Sequence, residues 1–179
     1  MGVSRVAEYL KTNLVEGFRT SPLRAPLETW ALVPFYAALS LAVGFGSGLL
    51  RVEFTSAKLA PLLLVTLFIF PSLLEEAFFR GVLIPRKTGE RSAARSMLAI
   101  GWSTLLFVAW HPLNALTINP SAPALFLDPA FLLISAALGI TCGYSYVVSK
   151  SLWVPVLIHW ATVVVWVFFL GGRNLVLEL

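Results

Sequence analysis

Five side chains in this sequence could do chemistry together: Glu75, Glu76, Arg80, His111 and His159. The two carboxylates are adjacent and follow the charge-free run LAPLLLVTLFIFPSLL. Each charge in an apolar segment of membrane length costs about 2.5–3.5 kcal/mol on insertion scales, so such groups face a bundle interior or a wet cavity and mark function. Glu76 and Arg80 are spaced i, i+4 and can pair on one side of a helix, while Glu75 falls on the neighbouring side with Phe79. This spacing predicts a division of labour in which Arg80 neutralises and orients Glu76 and leaves Glu75 as a general base. The chain's two histidines can hydrogen-bond a developing oxyanion, or bind a metal with a carboxylate. The blander reading makes Glu76–Arg80 a structural ion pair and the histidines packing or helix-end residues.

These residues need elements that bring them to one depth. The 179 residues are 58% hydrophobic and 12% charged, against about 25% charged in soluble domains, so the expected fold is an all-α polytopic membrane bundle. Its five expected spans are Trp30–Leu50, Leu59–Leu83, Ser96–Trp110, Phe126–Val148 and Leu152–Leu170, each read against the ~20 residues that cross a bilayer. Pro71 is expected to kink the second span just before the carboxylates. The third is expected to end at His111-Pro112, followed by an uncharged, proline-containing loop to Ala124. Gly139 and Gly143 form a small-xxx-small pair for close packing in the fourth span. Residues 1–29 form a separate interfacial segment in which Val3, Val6, Leu10, Leu14 and Phe18 recur at helical spacing, predicting an amphipathic surface helix. Residues 30–179 form the bundle.

With an N-in topology, Arg5, Lys11, Arg19, Arg24, Arg86, Lys87, Arg91, Arg95 and Lys150 fall on one side and Arg51, Lys58 and Arg173 on the other. That asymmetry predicts a cytoplasmic N-terminus and accounts for the net charge of +4 without nucleic-acid binding. At about 1.5 Å per residue, Glu75 lies about 16 Å from Arg86, His159 about 14 Å from Lys150 and His111 about 24 Å from Arg95. Three spans thus bring a carboxylate and two imidazoles to comparable depth. Lone Cys142 excludes an intramolecular disulfide and a cysteine zinc cage, and reads as a small packing residue. Trp30, Trp102, Trp110, Trp153, Trp160 and Trp166 read as belt or packing residues.

The run Glu75-Glu76-Ala-Phe-Phe-Arg80 fits an EExxxR motif, Phe107-Val-Ala-Trp-His111 fits FxxxH, and His159 follows in a later apolar helix. Over about residues 58–171 the chain resembles the CAAX-protease and bacteriocin-processing (Abi) family of glutamic-type intramembrane proteases, which includes the Ras-converting CAAX endopeptidase. The resemblance implies that Glu75 activates water for attack on a peptide carbonyl. His111 and His159 would stabilise the oxyanion or hold the water, and Glu76 and Arg80 would support the site. It implies no cofactor, with zinc on His111, His159 and Glu75 as the alternative. The implied partners are the bilayer and a membrane-anchored or lipidated protein or peptide, in a bacterial or archaeal cytoplasmic membrane. One departure stands out: four residues after His159 the family pattern has Asn or Asp, and this chain has Val163. Asn114, three residues after His111, is a candidate replacement. The rival readings are a non-catalytic immunity or scaffold protein that keeps the fold, and a proton-coupled transporter.

Overall fold

The computed structural model describes residues 3–54, 60–87, 92–117 and 123–172. Lys58, Arg91 and Arg173, which enter the charge comparison, lie outside the described residues. The architecture is an all-helical bundle, as expected. Six main elements follow in order: α1 (3–19), α2 (Leu27–Ser47), α3 (Ala60–Val82), α4 (Ala93–Thr117), α5 (Pro129–Ser149) and α6 (Trp153–Phe169). Helices α2 to α5 are long and apolar enough to cross a membrane. The expected fifth span, α6, is apolar but has only 17 residues, about 25 Å at helical rise. Large apolar side chains such as Phe35, Leu62, Trp102 and Leu105 are exposed on the outside, where the solvent of such a bundle is lipid.

Helix α3 is broken where Pro71 was expected to kink it. The residue before a proline is pushed toward extended backbone, and Phe70 adopts φ −132° and ψ 122°. Pro71 has no N–H for the carbonyl of Leu67, and the Ser72 hydroxyl donates to that carbonyl instead at 2.8 Å. Beyond the break, widened π turns run through Ala77–Val82. There the amides of Leu83 and Ile84 donate to the carbonyls of Phe78 and Arg80, passing over the carbonyl of Phe79. Ser103 of α4 fills the gap, its hydroxyl donating to that carbonyl at 2.7 Å.

Helix α4 differs from expectation. It continues through His111-Pro112 to Thr117, so residues 112–117 of the expected loop are helical and His111 lies inside the helix. Pro112 removes one backbone donor but does not end the helix. Helix α5 starts at a proline capped by Asp128, whose Oδ1 accepts from the amides of Ala130 and Phe131 at 2.7 and 3.1 Å. Gly139 and Gly143 let α4 approach closely: a Cβ on Gly139 would sit 2.8 Å from Thr104 Cγ2, and one on Gly143 2.9 Å from Ile100 Cγ2. Cys142 packs in the core, matching its sequence reading.

Helix α1 lies against one end of the bundle, where α3 and α5 finish and α6 begins. The amide of Leu152 donates to the carbonyl of Gly17 at 3.0 Å, and Trp153 Nε1 donates to the carbonyl of Phe18 at 2.7 Å. Tyr9 donates its phenol proton to the carbonyl of Val82 at 2.7 Å. Burial raises the phenol pKa, partly offset by Asn13, which keeps that proton in place. Arg86 ties the same end together, donating to the carbonyl of Lys150 at 2.6 Å and the hydroxyl of Thr20 at 2.8 Å.

Candidate active site

The broken α3 presents its two carboxylates to different surroundings. Glu76 is fully buried. Its Oε2 lies 3.0 Å from Arg80 Nε, an ion pair by distance, although the N–H is not aligned for a hydrogen bond. Its Oε1 accepts from His159 Nδ1 at 2.9 Å. The expected Glu76–Arg80 pairing is therefore present, and His159 joins it. Arg80 also donates from Nη2 to the carbonyl of Gly139 at 3.1 Å, and its guanidinium lies 4.6 Å from the ring centroid of Phe107. An unpaired ion here would face a desolvation cost of several kcal/mol; the partners from α3, α5 and α6 offset it.

Glu75 has a different set of contacts. Its Oε1 accepts from Trp110 Nε1 at 3.2 Å, while Oε2 is buried and has no protein partner. Trp110 thus corrects a sequence reading: it is a hydrogen-bond donor to the candidate base, not only a belt or packing residue. A tryptophan in an apolar helix has the same local pattern in either role, so only the rotation of α4 against α3 distinguishes them.

His111 is buried, and its Nδ1 lies 2.9 Å from the carbonyl of Phe107. A carbonyl can only accept, so this contact assigns a proton to Nδ1; in a neutral ring Nε2 then carries the lone pair. The Phe107 ring meets both histidines edge-on, with centroids 5.0 Å from His111 and 5.8 Å from His159. Sequence reading placed Phe107 only as the first letter of a motif; here it contacts the guanidinium and both imidazoles.

Glu75, His111 and His159 line one cavity of about 840 Å³, together with Asn114, Val163 and a mostly apolar wall that includes Tyr36, Phe70 and Leu138. All three expected groups therefore face a shared space. No residue of α1 contributes to the lining. Thr162 turns to another neighbour, accepting from the Tyr36 hydroxyl at 3.2 Å. Val163 is buried and gives the wall no hydrogen bond from its side chain. Among the described residues, no group of three or more His, Cys, Asp and Glu side chains is disposed to hold a metal ion.

A buried carboxylate pair, with one carboxylate and two imidazoles facing an apolar cavity between apolar helices, is an arrangement compatible with hydrolysis inside a membrane bundle. Residues 57–165 match the family described as type II CAAX prenyl endopeptidase Rce1-like, and the chain belongs to that family of CAAX-type intramembrane proteases. No curated protein and no solved structure matches the chain.

Proposed function

We propose that the protein hydrolyses a peptide bond of a membrane-anchored or lipidated substrate, using Glu75 to activate water. The observation that carries this reading is the asymmetry between the carboxylates. Glu76 is committed to Arg80 and His159, whereas Glu75 lines the cavity with an oxygen that has no protein partner. In the proposed step, a water O–H gives its proton to Glu75 as the oxygen bonds to the peptide carbonyl carbon. The resulting oxyanion needs a donor. Protonated His159 can donate from Nε2 while Nδ1–H stays on Glu76. Collapse of the tetrahedral species breaks the C–N bond, and the proton held by Glu75 passes to the leaving amine.

The apolar wall fits a hydrophobic substrate segment. The basic residues Arg5, Lys11, Arg19, Arg24, Arg86, Lys87 and Lys150 cluster at or near the end of the bundle that carries α1, which supports a cytoplasmic N-terminus.

The test is cleavage of membrane-anchored peptides by the full chain in proteoliposomes. General-base catalysis contributes about 10²–10⁴-fold, so Glu75→Gln should lower kcat by that much, and undiminished cleavage would overturn the mechanism. A strong chelator should leave wild-type turnover intact; loss restored by zinc would reverse the metal-free assignment. A wild type that cleaves nothing would favour a scaffold that keeps the family fold.

A further inference from the structure

The buried side-chain atoms without a protein partner on residues lining the cavity include the Ser40 hydroxyl, the Trp166 indole N–H and two oxygens that can only accept, Oε2 of Glu75 and Oδ1 of Asn114. Glu75 and Asn114 are more than nine-tenths buried, with 8% and 7% exposure. A buried acceptor left unpaired costs about 1–3 kcal/mol, so two at one cavity point to a shared ligand with two donor hydrogens. Helix α4 brings Asn114 there by its periodicity. Phe107, Trp110, His111 and Asn114 fall at i, i+3, i+4 and i+7, a single stripe of the helix, and Trp110 on that stripe already donates to Glu75.

We propose that Asn114 is a further catalytic residue that holds the attacking water jointly with Glu75; this rests on the function proposed above. The water donates one O–H to Glu75 Oε2 and the other to Asn114 Oδ1. Glu75 removes the first proton as the water oxygen bonds to the carbonyl carbon. The hydrogen bond to Asn114 holds the second proton and directs the remaining lone pair at the peptide. The second proton stays on the product carboxyl group until release, so the step needs no co-reactant.

The experiment measures kcat, KM and thermal stability in proteoliposomes for wild type, Glu75→Gln, Asn114→Leu and Asn114→Asp, all with one membrane-anchored peptide. Misplacing a reacting group by about 1 Å can cost about 100-fold. Asn114→Leu should therefore lose about 100-fold in kcat with KM little changed, while Asn114→Asp, which keeps an acceptor oxygen, should stay within about tenfold of wild type. Because Asn114→Leu removes an unpaired buried acceptor, its Tm should be unchanged or higher. A merely structural asparagine would instead lower Tm and activity together, and that result would overturn the proposal. So would full activity in Asn114→Leu, or equal losses in the Leu and Asp variants. If wild type cleaves and Glu75→Gln does not, any such failure concerns Asn114 alone. If wild type fails to cleave or Glu75→Gln cleaves normally, the protease mechanism fails and this inference fails with it.

Discussion

Replacing Arg80 by methionine tests whether the ion pair between Arg80 and Glu76 stabilises the bundle. Methionine preserves much of the stem volume and removes the charge. Glu76, with no exposed surface, would lose its cation and retain only the bond from His159. Breaking a buried pair by removing one partner costs about 3–5 kcal/mol, or roughly two to three and a half powers of ten in the unfolding equilibrium. Arg80 also loses its donation to the Gly139 carbonyl and its place against Phe107. Such contacts are worth about 1.5–3 kcal/mol for a hydrogen bond involving a charged group and up to about 2 for a desolvated cation–π contact. The single variant therefore cannot identify the ion pair as the cause.

The double variant Glu76→Gln with Arg80→Met separates these contributions. Glutamine keeps the carboxylate's shape and an oxygen that can accept from His159 Nδ1, while the uncompensated buried charge is gone. Replacing both members of a buried pair is often neutral, so the double variant should recover at least about 2 kcal/mol of the loss seen in Arg80→Met. Reversible unfolding in mixed micelles, run as a double-mutant cycle with Glu76→Gln, gives the coupling directly. A double variant as unstable as Arg80→Met would refute the reasoning and assign the loss to the Gly139 and Phe107 contacts.

Two further substitutions test how α4 is used. Trp110→Phe keeps an aromatic ring but removes the donor to Glu75; kcat should fall about tenfold, about 1.4 kcal/mol, the lower end for a hydrogen bond to a charged group, with KM little changed, and an unaltered kcat would return Trp110 to packing alone. Gly139→Ala sets a Cβ against Thr104 and should destabilise by about 1–3 kcal/mol, whereas Gly101→Ala, which meets open space, should be neutral within about 0.5 kcal/mol. Equal unfolding midpoints for the two glycine variants would show that the close approach of α4 and α5 carries no energetic weight.

The carboxylates, Arg80 and the histidines were legible in the sequence because ionisable groups are rare and costly in apolar helices. The i, i+4 spacing of Glu76 and Arg80 and the small pair Gly139 and Gly143 were legible for geometric reasons. Contacts that depend on helix rotation were not. Neither the bond of His159 to Glu76 nor that of Trp110 to Glu75 leaves a local pattern, because each joins residues on different helices. The end of α4 was misplaced because Pro112 was read as a terminator. Its tolerance has a consequence: by continuing to Thr117, the helix carries Asn114 onto the same face as His111.

The division between two adjacent glutamates follows from helical geometry. Successive residues of an α-helix differ by about 100° in direction, so Glu75 and Glu76 cannot face the same environment, and the short helical turn Leu74–Glu76 preserves that divergence between the wider turns flanking it. Glu76 turns toward Arg80 and His159, while Glu75 turns toward Trp110 and the cavity. Phe107 stands among these groups, touching Arg80 on one side and both imidazoles on others. A small residue there would leave Arg80 without its aromatic face and both rings without a common packing surface. The requirement at position 107 is therefore an aromatic ring rather than apolar volume alone, and it ties the orientation of two imidazoles to the ion pair that α3 buries.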